Sequence, residues 1–313
     1  MEGKNYIIID TPRIVLNPFK TFLNLFKLIF VILKSIFYLK KEQVDILIST
    51  GGYMSLPLCF AAKILGLKLY LFEPNMVLGR ANKIFLKYSK KIFCYSKNII
   101  NFPKKYFDKI SIIEPLLRKN FYSLKYNETK QIKKKINFLI VGGSQGAKLF
   151  DNQLNEAIIK LSKRYELKIF HQTSLKNFEN LKNFYSKNAI NFKLFDFENN
   201  LFDKNLDINL CISRAGASTL SELTFLNIPY LTIPLPSAKD DHQYYNAIFY
   251  KNKNCCWMLK QEDLRINVLF NNLLNIIENK EDYLAKRISM KEISSKNTWN
   301  DTNQKLISVI NEN

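Results

Sequence analysis

The chain has 313 residues, 47% of them hydrophobic, which excludes a disordered chain and is enough for two domains with separate cores. Lys and Arg outnumber Asp and Glu by 47 to 27, so the partners expected are anionic: a phosphorylated substrate, an anionic lipid or a nucleic acid. Two histidines far apart, His171 and His242, and five cysteines with no C-x-x-C pair argue against a metal site and for buried thiols in a reducing compartment.

Residues 6–9 are a short apolar run and read as an edge strand. Pro18 opens an apolar stretch over 19–39, with Lys20, Lys27, Lys34 and Lys41 at a spacing of seven. That spacing sets the four lysines in one stripe along a helix. A membrane span would put those charges at every depth of the bilayer, which is costly. Helix 19–41 is expected either to cover a sheet or to lie among anionic headgroups, and both readings stand. Residues 44–48 form a buried strand that runs into Gly51, Gly52 and Tyr53, and a helix follows through Leu65. Further strands are expected at 68–72, 91–95 and 110–113, with a helix over 82–89. Alternation of this kind marks a parallel α/β sheet, whose ligands sit at the carboxyl ends of the strands. Gly51, Gly52, Tyr53, Glu73 and Asn75 fall at such ends. Residues 119–136 are polar and lysine-rich and read as a linker, dividing a domain at 1–118 from a second at 137–290. Residues 291–313 read as a C-terminal helix.

The second domain opens on its clearest signal. Residues 138–141 are a buried strand, followed by Gly142-Gly-Ser-Gln-Gly146 and a helical pattern over 147–160. A strand, a glycine turn and a helix N-terminus present free backbone N–H groups to an anion. The spacing matches neither G-x-G-x-x-G nor a P-loop, so a tight turn without ligand is the alternative. Strands at 167–171, 191–195, 208–212 and 230–233 follow. The third ends in Ser213-Arg-Ala-Gly-Ala-Ser-Thr219, where small residues permit close approach, hydroxyls can donate and Arg214 could fork onto a phosphate. Arg118 stands out in the same way. Glu222, one turn into the next helix, suits a ribose diol or is simply a first-turn charge. His242 and Gln243 open a helix after Pro234-Leu-Pro236. They suit a sugar or phosphate, though His242 taken alone reads as a helix cap, and His171 as a structural histidine.

Six motifs occur in order: Gly51-Gly-Tyr-Met-Ser55; Glu73-Pro-Asn75 with Gly79 and Asn82-Lys83; Gly142-Gly-Ser-Gln-Gly-Ala147; His171-Gln-Thr173; Arg214-Ala-Gly-Ala-Ser-Thr-Leu-Ser-Glu222; and Pro234-Leu-Pro236 with Asp241-His-Gln243 and Asn246-Ala247. Together they resemble the MurG family, the peptidoglycan N-acetylglucosaminyltransferases of glycosyltransferase family 28. The resemblance implies a GT-B fold, two Rossmann-like domains facing a cleft, and inverting transfer without metal or cofactor. The substrates it implies are UDP-GlcNAc and lipid I, at the cytoplasmic face of the inner membrane, where helix 19–41 would meet the anionic surface. By the same resemblance Ser144 contacts the diphosphate, Glu222 the ribose, Gln243 the GlcNAc and the backbone at Phe197 the uracil. Asn75 and Arg118 lie near the donor, with Gly143, Gln145, Arg214, Gly216, Ala217, Ser218, Thr219 and His242 around it. Gly51, Gly52, Tyr53 and Glu73 lie on the acceptor side.

Two departures are visible. The family's Gly-Asn-Pro-x-Arg is Glu114-Pro-Leu-Leu-Arg118 here, and its N-terminal Gly-Gly-Thr-Gly-Gly-His loop, the source of a candidate base, has no counterpart. The first strand of a doubly wound sheet is a central one. The expectation is therefore a first domain truncated by a wrong start codon, a split gene or a decayed copy. The corresponding alternative function is a donor-binding remnant or subunit. Nucleic-acid binding is not expected, since it calls for aromatic stacking platforms or a recognition helix and the basic residues are spread instead along the whole chain.

Overall fold

A computed structural model describes residues 6–11, 18–124, 132–142, 149–196, 198, 202 and 207–312. The chain forms two compact units: residues 1–113 with 306–313, and residues 114–305.

In the first unit, strands β1 (Ile46–Ser49), β2 (Lys68–Glu73), β3 (Ile92–Cys94) and β4 (Ile110–Ile112) form a parallel sheet in that order. Helix α1 (Pro18–Lys41) packs against α2 (Leu56–Leu65), and α3 (Arg80–Phe85) follows β2. Helix α2 starts with Pro57 in its first turn, where a missing N–H costs nothing, and stops at Gly66, whose φ of 68° is the left-handed cap. Residues 6–11 adopt no regular structure, and Tyr6, Ile7 and Ile8 are exposed, so the edge strand expected at 6–9 is not formed. An apolar run becomes a strand only with a partner for its backbone, and β1, with Ile46 and Ile48 exposed, is itself an edge of this sheet. Among its described side chains, helix α1 buries a narrow stripe of Val31, Ser35 and Leu39.

The second unit holds a six-stranded parallel sheet of β5 (Lys135–Val141), β6 (Glu166–Gln172), β7 (Asn191–Phe195), β8 (Leu210–Ser213), β9 (Tyr230–Thr232) and β10 (Trp257–Met258), in the order β10-β9-β8-β5-β6-β7. Its helices are α4 (Asn155–Ser162), α5 (Phe178–Lys187), α6 (Ala217–Phe225), α7 (His242–Asn252), α8 (Ile266–Glu278), α9 (Lys280–Ser294) and α10 (Trp299–Asn311). Central strand β5 sends Ile136, Phe138 and Ile140 into one core and Leu139 into the other, which is why its sequence is apolar without alternation.

The boundaries differ from the sequence expectation. The second unit starts at Glu114, and residues 119–123 form a 3-10 turn that belongs to it. Phe121 is buried there at 1% exposure, with its ring edge-on to Phe202, which anchors a segment that its lysine content had marked as linker. The C-terminal segment is two helices, α9 and α10, and the second unit runs on to Lys305. The last turns of α10 bring Leu306, Val309 and Ile310 onto the first unit's core of Tyr70, Phe93 and Ile113. Tyr70 Oη donates to the Ile310 carbonyl at 3.1 Å.

Candidate functional site

Strand β5 is flanked by β6 on one side and β8 on the other, so the strand order reverses between β5 and β8. In open α/β sheets such a switch point leaves a crevice at the carboxyl ends. Val141 pairs with Ser213 at that end, and Arg214 N–H donates to the Val141 carbonyl at 3.2 Å. Gly142 and Arg214 therefore leave the sheet from neighbouring strand ends. Gly143, Ser144, Gln145 and Phe197 lie outside the described residues.

Helix α6 begins at this end with Gly216 as N-cap in extended conformation, and Ala217, Ser218 and Thr219 form its first turn. First-turn N–H groups have no intrahelical acceptor, and together with the helix dipole they favour a negative charge. Glu222 sits one turn further on, mostly buried, with Oε1 3.7 Å from Nη2 of the half-exposed Arg118. Burial raises the Glu222 carboxyl, and the Arg118 guanidinium offsets part of that rise. Two residues singled out separately in the sequence thus meet.

Gln243, in the first turn of α7, is fixed more tightly. Its Oε1 accepts from Ala215 N–H at 3.2 Å and from Leu235 N–H at 3.0 Å. Asn246, one turn on and buried, donates through Nδ2 to the Ala215 carbonyl at 3.1 Å. The Pro234-Leu-Pro236 loop, Tyr244, Tyr245 and Gln261 line an adjoining open pocket of about 290 Å³. His242 Nδ1 lies 2.8 Å from the Lys239 carbonyl, which can only accept, so Nδ1 carries the proton and the ring closes the turn before α7.

Arg214 departs from expectation. It is buried, and Nη1 donates to the carbonyls of Ile233 and Pro234 at 3.0 and 3.2 Å, while Nη2 donates to Gln261 Oε1 at 2.8 Å. Its guanidinium lies over the Phe150 ring, Cζ to centroid 4.9 Å. Burial lowers its pKa to about 10, so it stays a cation at neutral pH. The side chain expected to fork onto a phosphate braces the proline loop from inside, because two backbone carbonyls and a glutamine oxygen converge on its fork.

A second buried constellation escaped the sequence reading. Asp151 Oδ2 accepts from Thr173 Oγ1 at 2.9 Å and from Asn177 Nδ2 at 2.6 Å, and Oδ1 lies 3.3 Å from His171 Nε2. Tyr185 Oη closes the cluster, 2.8 Å from His171 Nδ1. Burial alone would raise the Asp151 carboxyl, but hydrogen bonds from His171, Asn177 and Thr173 outweigh it and hold it below the ordinary value. The available signal was an acid sharing a helix face with Leu154 and Ile158, at spacings of three and seven. His171 is structural, as its place at a strand end suggests.

In the first unit, Glu73 ends β2 and is buried. Its Oε1 accepts from the Asn75 backbone N–H at 3.2 Å and from Asn75 Nδ2 at 3.1 Å. Its Oε2 accepts from Gly79 N–H at 2.7 Å and from Asn82 Nδ2 at 2.9 Å. Gly51, at the end of β1, has φ 78°, and a Cβ there would come within 3.0 Å of Asn82 Nδ2. Gly52 and the exposed Tyr53 continue the same turn. Among the described residues, no three His, Cys, Asp or Glu side chains gather as a metal site needs.

Residues 137–304 match the glycosyltransferase family 28 C-terminal domain, and residues 5–94 match the N-terminal domain of the same family. The UDP-N-acetylglucosamine--N-acetylmuramyl-(pentapeptide) pyrophosphoryl-undecaprenol N-acetylglucosamine transferase of Pelagibacter ubique (strain HTCC1062) is 54% identical over 277 residues, covering 88% of this chain and 77% of that protein. The enzyme of the same name from Rickettsia canadensis (strain McKiel) is 37% identical over 237 residues, covering 75% and 67%. The crystal structure of Acinetobacter baumannii MurG superposes with a TM-score of 0.74 at 25% identity, covering 93% of this chain and 80% of that one. By these matches the chain belongs to glycosyltransferase family 28, within the MurG family of GT-B enzymes.

Proposed function

We propose that this chain transfers GlcNAc from UDP-GlcNAc to the undecaprenyl-diphosphate-MurNAc-pentapeptide acceptor, converting lipid I to lipid II in peptidoglycan synthesis. The observation that carries the residue-level reading is the β5/β8 switch point, where Val141 pairs with Ser213, Gln243 holds Ala215 just beyond it and Glu222 lies in the helix that follows. In the reaction a bond forms between an acceptor hydroxyl oxygen and the anomeric carbon, with inversion. The bond from that carbon to the UDP oxygen breaks, and the hydroxyl proton passes to a base. Negative charge grows on the departing diphosphate. N–H groups in the first turn of α6 are suited to meet it, since preorganised dipoles stabilise charge as it develops. Ser144 and the neighbouring Gly143 and Gln145 take the diphosphate in this reading, Glu222 the ribose, Gln243 the sugar and the backbone at Phe197 the base. Arg118 and Asn75 contact the donor. Gly51, Gly52, Tyr53 and Glu73 serve the acceptor.

Transfer of labelled GlcNAc from UDP-GlcNAc to a short-chain lipid I analogue tests this. Lipid II analogue is the expected product; folded protein that binds UDP-GlcNAc and yields none would refute the catalytic assignment. Glu222 gives a sharper test. A raised carboxyl pKa means that the folded protein holds this proton to higher pH than the unfolded chain, so the ionised side chain costs stability as pH rises through that value. Glu222→Gln is therefore expected to keep or raise the Tm at neutral pH. It should also weaken UDP-GlcNAc binding about tenfold and remove the acid-side loss of binding. Paired melts and calorimetric titrations across pH check this, and a lower Tm with unchanged affinity contradicts it.

The chain works, in the same reading, as a peripheral protein at the cytoplasmic face of the inner membrane. Helix α1 exposes Leu25, Phe26, Ile29, Phe30, Leu33 and Phe37, with Lys27, Lys34 and Lys41 also exposed. Among the described residues no helix is long and apolar enough to cross a membrane. Apolar side chains entering the headgroup boundary with lysines on anionic lipid is how such a helix binds. Since burying each phenylalanine is worth about 1.5–3 kcal/mol, replacing Phe26 and Phe30 with serine should lower partitioning onto phosphatidylglycerol vesicles by about a hundredfold or more. Co-sedimentation measures it; an unchanged partition coefficient removes α1 as the contact.

A further inference from the structure

A carboxylate has about four lone-pair positions, and Glu73 uses all of them on N–H donors. Two donors come from Asn75, one from the backbone of Gly79 just before α3, and one from Asn82 within it. The shortest, from Gly79, is 2.7 Å, in the range of charge-assisted bonds. All four bonds use the carboxylate oxygens as acceptors, so a proton delivered to either oxygen would have to displace one of these donors. A buried carboxylate at a strand's carboxyl end invites assignment as the general base. A base must exchange its proton, however, and this one is saturated. What the geometry does provide is a fixed Asn75: with its backbone N–H and Nδ2 both held by Oε1, the side-chain oxygen of Asn75 has one direction.

We propose that Glu73 is a positioning residue: a bracket of acceptor oxygens, filled by four donors, that orients the Asn75 amide and the 74–79 turn for substrate and is not the reaction's general base. The inference rests on the reading above that Asn75 contacts substrate. Glycine at 79 belongs to the same device. A Cβ there would stand 2.9 Å from Glu73 Oε2, so even alanine pushes the carboxylate off its donors. The Gly79 backbone, at φ −63° and ψ 143°, is otherwise open to any residue.

The experiment is a double-mutant cycle on the full chain with UDP-GlcNAc and a lipid I analogue, reading kcat, KM and the pH profile. Glu73→Gln puts an NH₂ against donors and is expected to lower kcat/KM about 10- to 100-fold, with the midpoint of the acidic limb unchanged. Asn75→Ala is expected to lose a similar amount, and the double variant to fall within about threefold of the weaker single variant, because both remove one unit. Gly79→Ala keeps the charge, is expected to lower kcat/KM in the same direction, and replaces Glu73→Gln in the cycle if that variant does not fold. Losing the acidic limb in Glu73→Gln would make Glu73 the base and overturn the proposal. So would losses that multiply in the double variant, or full activity in either Glu73→Gln or Gly79→Ala. A wild-type rate for Asn75→Ala would remove the reading of Asn75 and the proposal with it, whereas multiplying losses would remove the proposal alone.

Discussion

Gln243→Glu is expected to lower kcat/KM for UDP-GlcNAc about 100- to 1000-fold while leaving the Tm near that of the unaltered protein. The amide orientation settles why. Both groups at Gln243 Oε1 are backbone N–H donors, from Ala215 and Leu235, so the atom there must be the carbonyl oxygen. The NH₂ group is what remains for a ligand, and it can only donate. Glutamate keeps one oxygen for the two N–H groups, so the turns after β8 and β9 stay tied and stability holds. The other oxygen replaces the donor with a negative charge in a site built for a diphosphate sugar. Gln243→Ala, by contrast, leaves both N–H groups without their acceptor and should lower Tm and activity together. Comparing the two separates ligand reading from loop support. If Gln243→Glu transfers at the normal rate, Gln243 does not donate to the sugar.

Much of this was legible because the second unit repeats one pattern: a continuous apolar strand, a turn of small residues and a helix start. Such a pattern needs only local spacing, and the elements at 138–141, 208–212 and 230–233 fall where β5, β8 and β9 are found. The pairing of Arg118 with Glu222 was not legible, since it joins residues a hundred positions apart. Nor was the direction of Arg214, because residue type states what a side chain can bind and not which way it points. Phe121 and Tyr122 show the limit of composition: two adjacent aromatics in a polar, lysine-rich window tie 119–123 to a core, and a window average hides them. Residues 6–9 show the limit of strand propensity, which measures fit to a neighbouring strand.

Replacing Arg214 by lysine should destabilise the second unit by about 2–4 kcal/mol and weaken UDP-GlcNAc binding by an order of magnitude or more. Lysine keeps the charge, so a purely electrostatic role would survive the change. The three acceptors at Ile233, Pro234 and Gln261 lie in different directions from Nη1 and Nη2, and the guanidinium plane also lies over Phe150. A single ammonium reproduces neither the fork nor the stacking. At least one buried carbonyl is then left without a donor, at a cost of about 1–3 kcal/mol. The functional loss follows from the chain path: Pro234 precedes Leu235, whose N–H holds Gln243, so a loosened proline loop releases the Gln243 amide that is proposed to meet the sugar. Both tryptophans, Trp257 and Trp299, belong to the second unit, so their fluorescence in a urea titration reports this unit by itself. A midpoint shifted down with the slope unchanged, together with a raised KM for UDP-GlcNAc, is the expected result. Unchanged unfolding with lost binding would instead return Arg214 to the phosphate, as its residue type first suggested.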